Sequence, residues 1–303
     1  MKIVKIFFAI LVGYLFGLAP ETSASPLQVF VSIPPQKWLS DQVGGELVST
    51  HVLVNKGQEP HNFEPTPKQI AALFRSQLYF TVDMEFEREI SRKIRQSDSR
   101  VRIIDVTRSI HKISITGNGY EEDGGGLDEE HHHAGLDPHV WLAPANLKIM
   151  ATAMAAAMAD VDPENKSLYK RNLQAVTLML DRLHRDIQQA LAPNKGSTFL
   201  VFHPAFGYFA HAYGLHQEAV EVEGKSPAPR QLYSLLTRAK TDKVKVVFVQ
   251  PQFDRKSAQA IAHGIGGEVV PLDPLAEDVV GNLKIMAEKI QSALNQQYPV
   301  KNR

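Results

Sequence analysis

Short apolar runs at residues 27–33, 49–54, 78–82 and 102–106 have the length and β-branched content of buried strands. Between them, residues 36–43, 66–75 and 86–95 carry helix-like spacing. The last of these has Glu85, Glu87 and Glu89 early and Arg92, Lys93 and Arg95 late, the order that complements a helix dipole. The pattern repeats further on, with strands predicted at 198–202, 217–222, 244–250 and 268–272 and helical segments between them. Strands alternating with helices imply a parallel sheet covered on both faces. The predicted fold is α/β: two similar lobes, each with a roughly four-stranded parallel sheet flanked by helices.

The segment joining the halves is a long helix by the same criteria. Asp162 is placed to cap it, Pro163 fits the first helical position, and no Pro or Gly follows until Pro193. Leu168, Leu173, Val176, Leu180, Leu183 and Ile187 keep a broadly helical spacing. Roughly 29 residues at 1.5 Å each give about 43 Å, enough for a backbone between lobes; two shorter helices with a kink fit the same periodicity. The expected division is an N-terminal lobe over 25–161, a linking helix over 162–192 and a C-terminal lobe over 193–303.

The first 24 residues stand apart. Lys2 and Lys5 precede or open an apolar run from Ile6 to Leu18, and small residues follow Pro20. This is the layout of a secretory signal peptide, with cleavage expected after Ala24 and export to the periplasm. The run is shorter than the roughly 18 apolar residues a membrane span requires, and no later segment is long enough either. The chain has no cysteine, so a tight metal site must be built from His, Asp and Glu. Basic and acidic residues balance at 33 each, which argues against a nucleic-acid partner.

Residues 118–136 form a low-complexity stretch, rich in glycine and acidic residues and containing His131, His132 and His133. Few apolar groups there can be buried, so a mobile loop is expected. With Asp128, Glu129 and Glu130 alongside, the three histidines could hold a metal weakly; an acidic solvated loop without a metal role is an equal reading.

The candidate chemistry lies elsewhere. His61 stands among Pro60, Pro65 and Pro67, His139 follows Pro138, and His203 and Asp273 each close a predicted strand and precede a proline. In parallel sheets ligands bind beyond the carboxyl ends of strands, so two such edges facing each other would collect these residues in one cleft. Three imidazoles and a carboxylate suit tetrahedral Zn²⁺, whereas a carboxylate-richer set would favour manganese. Spacing alone leaves ligation and an ordinary structural role evenly weighted. A zinc hydrolase is a competing reading, with Glu59 or Glu64 as base, but no His-Glu-x-x-His motif is present.

Longer motifs carry a resemblance. Ser32-Ile33-Pro34-Pro35-Gln36, Pro60-His61-Asn62-Phe63-Glu64-Pro65, Asp137-Pro138-His139-Val140-Trp141-Leu142, His203-Pro204-Ala205-Phe206-Gly207 and Pro271-Leu272-Asp273-Pro274 resemble the zinc and manganese solute-binding proteins of ABC transporters. So do Glu223-Gly224-Lys225-Ser226-Pro227 and Val247-Phe248-Val249-Gln250-Pro251-Gln252-Phe253. The resemblance implies two α/β lobes on a rigid backbone helix and metal bound between them by His61, His139, His203 and Asp273. It implies a non-enzymatic receptor delivering Zn²⁺ to a membrane permease, with a monomer expected. Manganese members typically have glutamate at the position of His203, so histidine here points to zinc.

Overall fold

The computed structural model describes residues 25–115, 135–221 and 228–297. The expected signal peptide and the acidic loop with His131, His132 and His133 lie outside these residues. The N-terminal lobe carries β1 (Leu27–Val31), β2 (Val48–Val52), β3 (Leu78–Thr81) and β4 (Arg102–Asp105), all parallel and ordered β2-β1-β3-β4. The C-terminal lobe repeats the arrangement with β5 (Thr198–Val201), β6 (His216–Ala219), β7 (Val246–Val249) and β8 (Glu268–Pro271), ordered β6-β5-β7-β8. The two lobes predicted from the alternation are therefore present.

Sheet position explains strand composition. β3 and β7 are central and all four residues of each are buried, while the edge strands β2, β4 and β8 are mostly part-exposed and carry His51, Arg102 and Glu268 on accessible positions. In the C-terminal lobe the period-2 alternation separates two cores. Phe199, Val201, Val246 and Phe248 face one, and Leu200, Phe202, Val247 and Val249 face the other.

The first of those cores does not stop at the lobe boundary. It runs continuously from Val29, Val31 and Tyr79 through the connecting helices to Phe199 and Phe248. Helix α1 (Pro34–Gly44), α2 (Pro67–Leu73) and α3 (Glu85–Arg95) belong to the N-terminal lobe, followed by α4 (Pro144–Val161) and the linking helix α5 (Lys166–Leu191). In the second lobe come α6 (Gly207–Tyr213), α7 (Pro229–Thr241), α8 (Arg255–Ile265) and α9 (Val279–Gln297). Helix α5 buries Tyr169, Val176, Leu180, Leu183, Ile187 and Leu191, a stripe at steps of three, four and seven residues. It packs on α1 and α4 on one side and on α9 on the other. At 26 residues it spans about 39 Å.

Two expectations for this helix are corrected. Its start is a separate 3₁₀ turn, Pro163–Asn165, and the Asp162 side chain caps no backbone N–H. Instead the Asp162 carboxylate accepts from Asn165 Nδ2 at 2.8 Å and from the Tyr169 hydroxyl at 2.7 Å. No helix among the described residues is long and apolar enough to cross a membrane.

Direct contacts also tie the lobes together. The buried Trp141 donates its indole N–H to the Pro274 carbonyl at 2.7 Å, and Lys37 bridges to Glu277 at 2.8 Å. The Lys37 pair is exposed at its glutamate end and contributes little to stability. The Trp141 bond is buried, and the pairing of a buried carbonyl is the larger effect.

Candidate metal centre

His61 sits in a 3₁₀ turn, Pro60–Asn62, that follows β2. Pro60 fixes the turn's first residue, and the Glu59 carboxylate closes it by accepting from the backbone N–H of His61 at 2.9 Å and of Asn62 at 2.8 Å. Glu59 is thus the clamp on the His61 loop. Glu64 is exposed.

His139 precedes the turn Val140–Leu142 that leads into α4. Its segment is held from below: Asp137 N–H donates to Ile113 O at 2.8 Å, and Tyr208 of α6 donates its hydroxyl to Asp137 O at 3.1 Å. The buried Asp137 carboxylate accepts from both the backbone N–H of His139, at 2.9 Å, and its Nδ1, at 2.7 Å. Gly207 is needed beside it, because a Cβ there would stand 2.6 Å from Asp137 Oδ2.

His203 lies just beyond β5 in the C-terminal lobe. Its backbone is gripped by Gln250, which accepts from His203 N–H at 3.4 Å and donates to His203 O at 2.7 Å. The ring stacks on Phe253, with centroids 4.9 Å apart, and its Nδ1 lies 2.7 Å from Glu221 Oε2. In both buried histidines a carboxylate accepts at Nδ1, so that nitrogen carries the proton. The lone pair is then on Nε2. Imidazole ligands of metals show this arrangement, in which the carboxylate fixes tautomer and orientation.

The three rings meet. Centroid separations are 5.5 Å for His61–His139, 5.2 Å for His61–His203 and 5.4 Å for His139–His203, and one ligand atom from each lies within 4.8 Å of the others. A tetrahedral zinc with nitrogen ligands at 2.0–2.1 Å sets them about 3.4 Å apart, a small adjustment from this arrangement. Nε2 of His203 is buried and has no hydrogen-bond partner among the described residues, as a nitrogen reserved for a metal would be. The rings border a cavity of about 20 Å³, on the scale of an ion and a small ligand.

His61 differs from the other two in being exposed on one side. Removal of its ring from water holds its pKa below the usual histidine value; the Glu59 charge opposes this and the neighbouring His203 adds to it. The neutral ring that a metal requires is favoured.

Asp273 is not brought into the group. Its Oδ1 accepts from Leu275 N–H at 2.9 Å and from Gln252 Nε2 at 3.2 Å, so the carboxylate is used to turn the chain after β8. Of the residues that hold the histidines, Asp137, Glu221 and Gln250 carry no metal signal in the sequence. Only Asp137 and Glu59, two residues before their histidines, could have been found by spacing.

Known structures and relatives share this fold. A zinc-bound deletion mutant of ZnuA is 37% identical, with a TM-score of 0.80, covering 89% of this chain and 98% of that one. The zinc-bound ZnuA-like domain of AdcA from Streptococcus pneumoniae shares the fold, with a TM-score of 0.71 at 21% identity over 90% of this chain and 100% of that one. The high-affinity zinc uptake system protein ZnuA of Yersinia pestis is 26% identical over 279 residues, covering 87% of each chain. The model of the family described as ZnuA, the periplasmic component A of the zinc-uptake complex, matches residues 29–293, and this chain belongs to that family.

Proposed function

We propose that the protein captures Zn²⁺ between its lobes through His61, His139 and His203 and delivers it to the permease of an ABC transporter. The observation that carries this is the convergence of three imidazoles, two of them pre-oriented by carboxylates at Nδ1 and one with a buried, unpartnered Nε2. Neutral nitrogen ligands favour zinc over manganese, which prefers oxygen. Delivery to a permease and residence in the periplasm are supported by membership of a periplasmic zinc-uptake family.

A manganese receptor of the same build is the second reading, and a metal hydrolase the third. The hydrolase lacks support in the site, since the Glu59 carboxylate is used to close the His61 turn through both its oxygens. Competition titration of the metal-stripped mature chain decides the first pair. Zinc should bind far more tightly than manganese, His61→Ala, His139→Ala and His203→Ala should each lose most of that affinity, and deletion of residues 121–133 should leave it intact. Manganese preference, or wild-type affinity in all three variants, would overturn the reading. Metal-dependent turnover of ester, phosphoester or β-lactam substrates would revive the enzyme.

A further inference from the structure

Helix α3 and the edge strand β4 border a groove that the metal centre does not use. Its volume is about 480 Å³, within the roughly 300–1,000 Å³ of ligand clefts. Met84, Ile103 and Ile104 give it apolar surface, and Arg88, Arg95 and Arg108 line it with charge. These three arginines are exposed and have no acid partner among the described residues, whereas Arg92, Arg102 and Arg238 are each paired. We infer that the groove is a docking surface for a carboxylate-bearing segment of the membrane permease.

The groove's own carboxylates do not cancel this charge. Asp83 pairs with Lys112, and Glu87 is buried, accepting from Ser32 Oγ and from the backbone N–H groups of Val82 and Met84. Asp105 Oδ1 accepts from Thr107, from its N–H at 2.8 Å and from its hydroxyl at 2.7 Å. With Lys112 counted, four basic groups meet at most three carboxylates, so the balance stays positive. On α3 the backbones of Arg88 and Arg95 are two turns, about 10 Å, apart, and Arg108 follows β4. Charges strung along a groove with apolar surface between them suit a peptide segment carrying several carboxylates better than one small anion. Guanidinium is also the group that grips a carboxylate through two parallel N–H bonds.

Position selects the partner. The inference rests on the zinc-receptor reading, under which the permease is the macromolecule this protein has to meet. Strands β3 and β4 end at the sheet edge from which β2 leads to His61. In the first turn of α3, Phe86 packs its ring 5.1 Å from that of Phe63, and Phe63 closes the His61 turn by donating its N–H to Pro60 O at 3.3 Å. The segment after Arg108 leads to a second histidine. Lys112 holds Asp83 beside the groove, and the next residue, Ile113, accepts from the N–H of Asp137, which orients His139. A partner seated in the groove therefore touches the supports of both N-terminal-lobe histidines, which is where a docked permease has to act on the cargo.

The test uses the full mature chain, zinc, and proteoliposomes holding the cognate permease with its ATPase. Reversing the three charges together, Arg88→Glu with Arg95→Glu and Arg108→Glu, should raise the receptor concentration for half-maximal zinc uptake about tenfold or more, with zinc affinity in solution kept within about twofold of the parent. Lysine at the same three positions keeps the charge and should retain most of the docking. Added salt should weaken docking of the parent more than that of the reversed variant. The same reversal at Lys195, Lys240 and Lys243, exposed where the chain enters β5 and β7 of the other lobe, should leave uptake unchanged. The inference is overturned if the arginine reversal takes up zinc like the parent, or if the lysine control loses as much. It is also overturned if deleting residues 121–130, which carry six carboxylates, abolishes the effect of the reversal, because the chain's own segment would then be the occupant. Absence of zinc uptake with the parent chain would instead overturn the receptor reading.

Discussion

Asp137 Oδ1 accepts two hydrogen bonds from a single residue, the backbone N–H and the Nδ1–H of His139, at 2.9 and 2.7 Å. The pair fixes both where the histidine starts and which way its ring points. Asp137→Ala should therefore lower zinc affinity about 10- to 100-fold, and Asp137→Asn, which can still accept, should lose less. Chelator competition on both variants checks this; equal, parental affinity would show that the carboxylate does not orient the ring.

Gly207 should be as sensitive as Asp137 although it touches no candidate ligand. A methyl group there would sit 2.6 Å from Asp137 Oδ2 and 3.2 Å from Gln217 Nε2, both buried atoms that cannot retreat into solvent. Gly207→Ala is expected to cost about 1–3 kcal/mol of stability by overpacking and to weaken zinc by displacing Asp137. Because both act on one carboxylate, combining it with Asp137→Ala should be less than additive for zinc affinity. Urea unfolding and zinc titration of the three variants provide the measurement, with strict additivity the contrary result.

Trp141 reaches across the lobes to Pro274 and also packs its ring 5.4 Å from that of His139. Trp141→Phe keeps an aromatic ring but leaves a buried carbonyl without its donor, a loss of about 1–3 kcal/mol. Zinc release should quicken as well, since the wall behind His139 loosens. Denaturant midpoints and stopped-flow transfer to a chelator give the two readouts; unchanged values in both would mean that the inter-lobe bond is not a fastener.

A fourth prediction concerns acid and base. Glu87 lies buried behind the first sheet, accepting from Ser32 Oγ and from the backbone N–H groups of Val82 and Met84. Burial pushes its carboxyl up from 4.5 to about 7, against the pull of those hydrogen bonds. Between those values the folded chain keeps a proton that the unfolded chain has released. Its contribution to stability is then complete below about pH 4.5 and is lost as pH rises through about 7. At 1.36 kcal/mol per pKa unit the full loss is roughly 3 kcal/mol. Relative to Glu87→Gln, which cannot titrate, the parent should lose stability from pH 5 to pH 8; a constant difference would refute the shift.

How far the sequence reaches is clearest in particular segments. The central strands were legible because buried parallel strands are almost wholly apolar, but strand ends were overrun: Ile33, Val54 and Val82 lie past the last paired residue and are still fully buried. Hydrophobicity reports burial, and burial continues into the turns that line the cleft. Helix α4 is absent from the periodicity reading, since alanine on both its faces leaves little contrast between core and surface. His61, His139 and His203 were visible through their proline-flanked, strand-end settings. Glu221 was not, because it meets His203 from the neighbouring strand's end 18 residues later, a pairing set by the β5–β6 register.

The division of the histidines, two from the first half of the chain and one from the second, bears on when the protein can first hold its cargo. On the proposed reading, a nascent or truncated chain ending before β5 offers only two of the three imidazoles. The third arrives only with the second sheet, and its geometry only once Gln250 and Phe253 have closed around it. If the three histidines hold the metal, its retention belongs to the finished chain, and a bound ion would report that both halves have been made and docked.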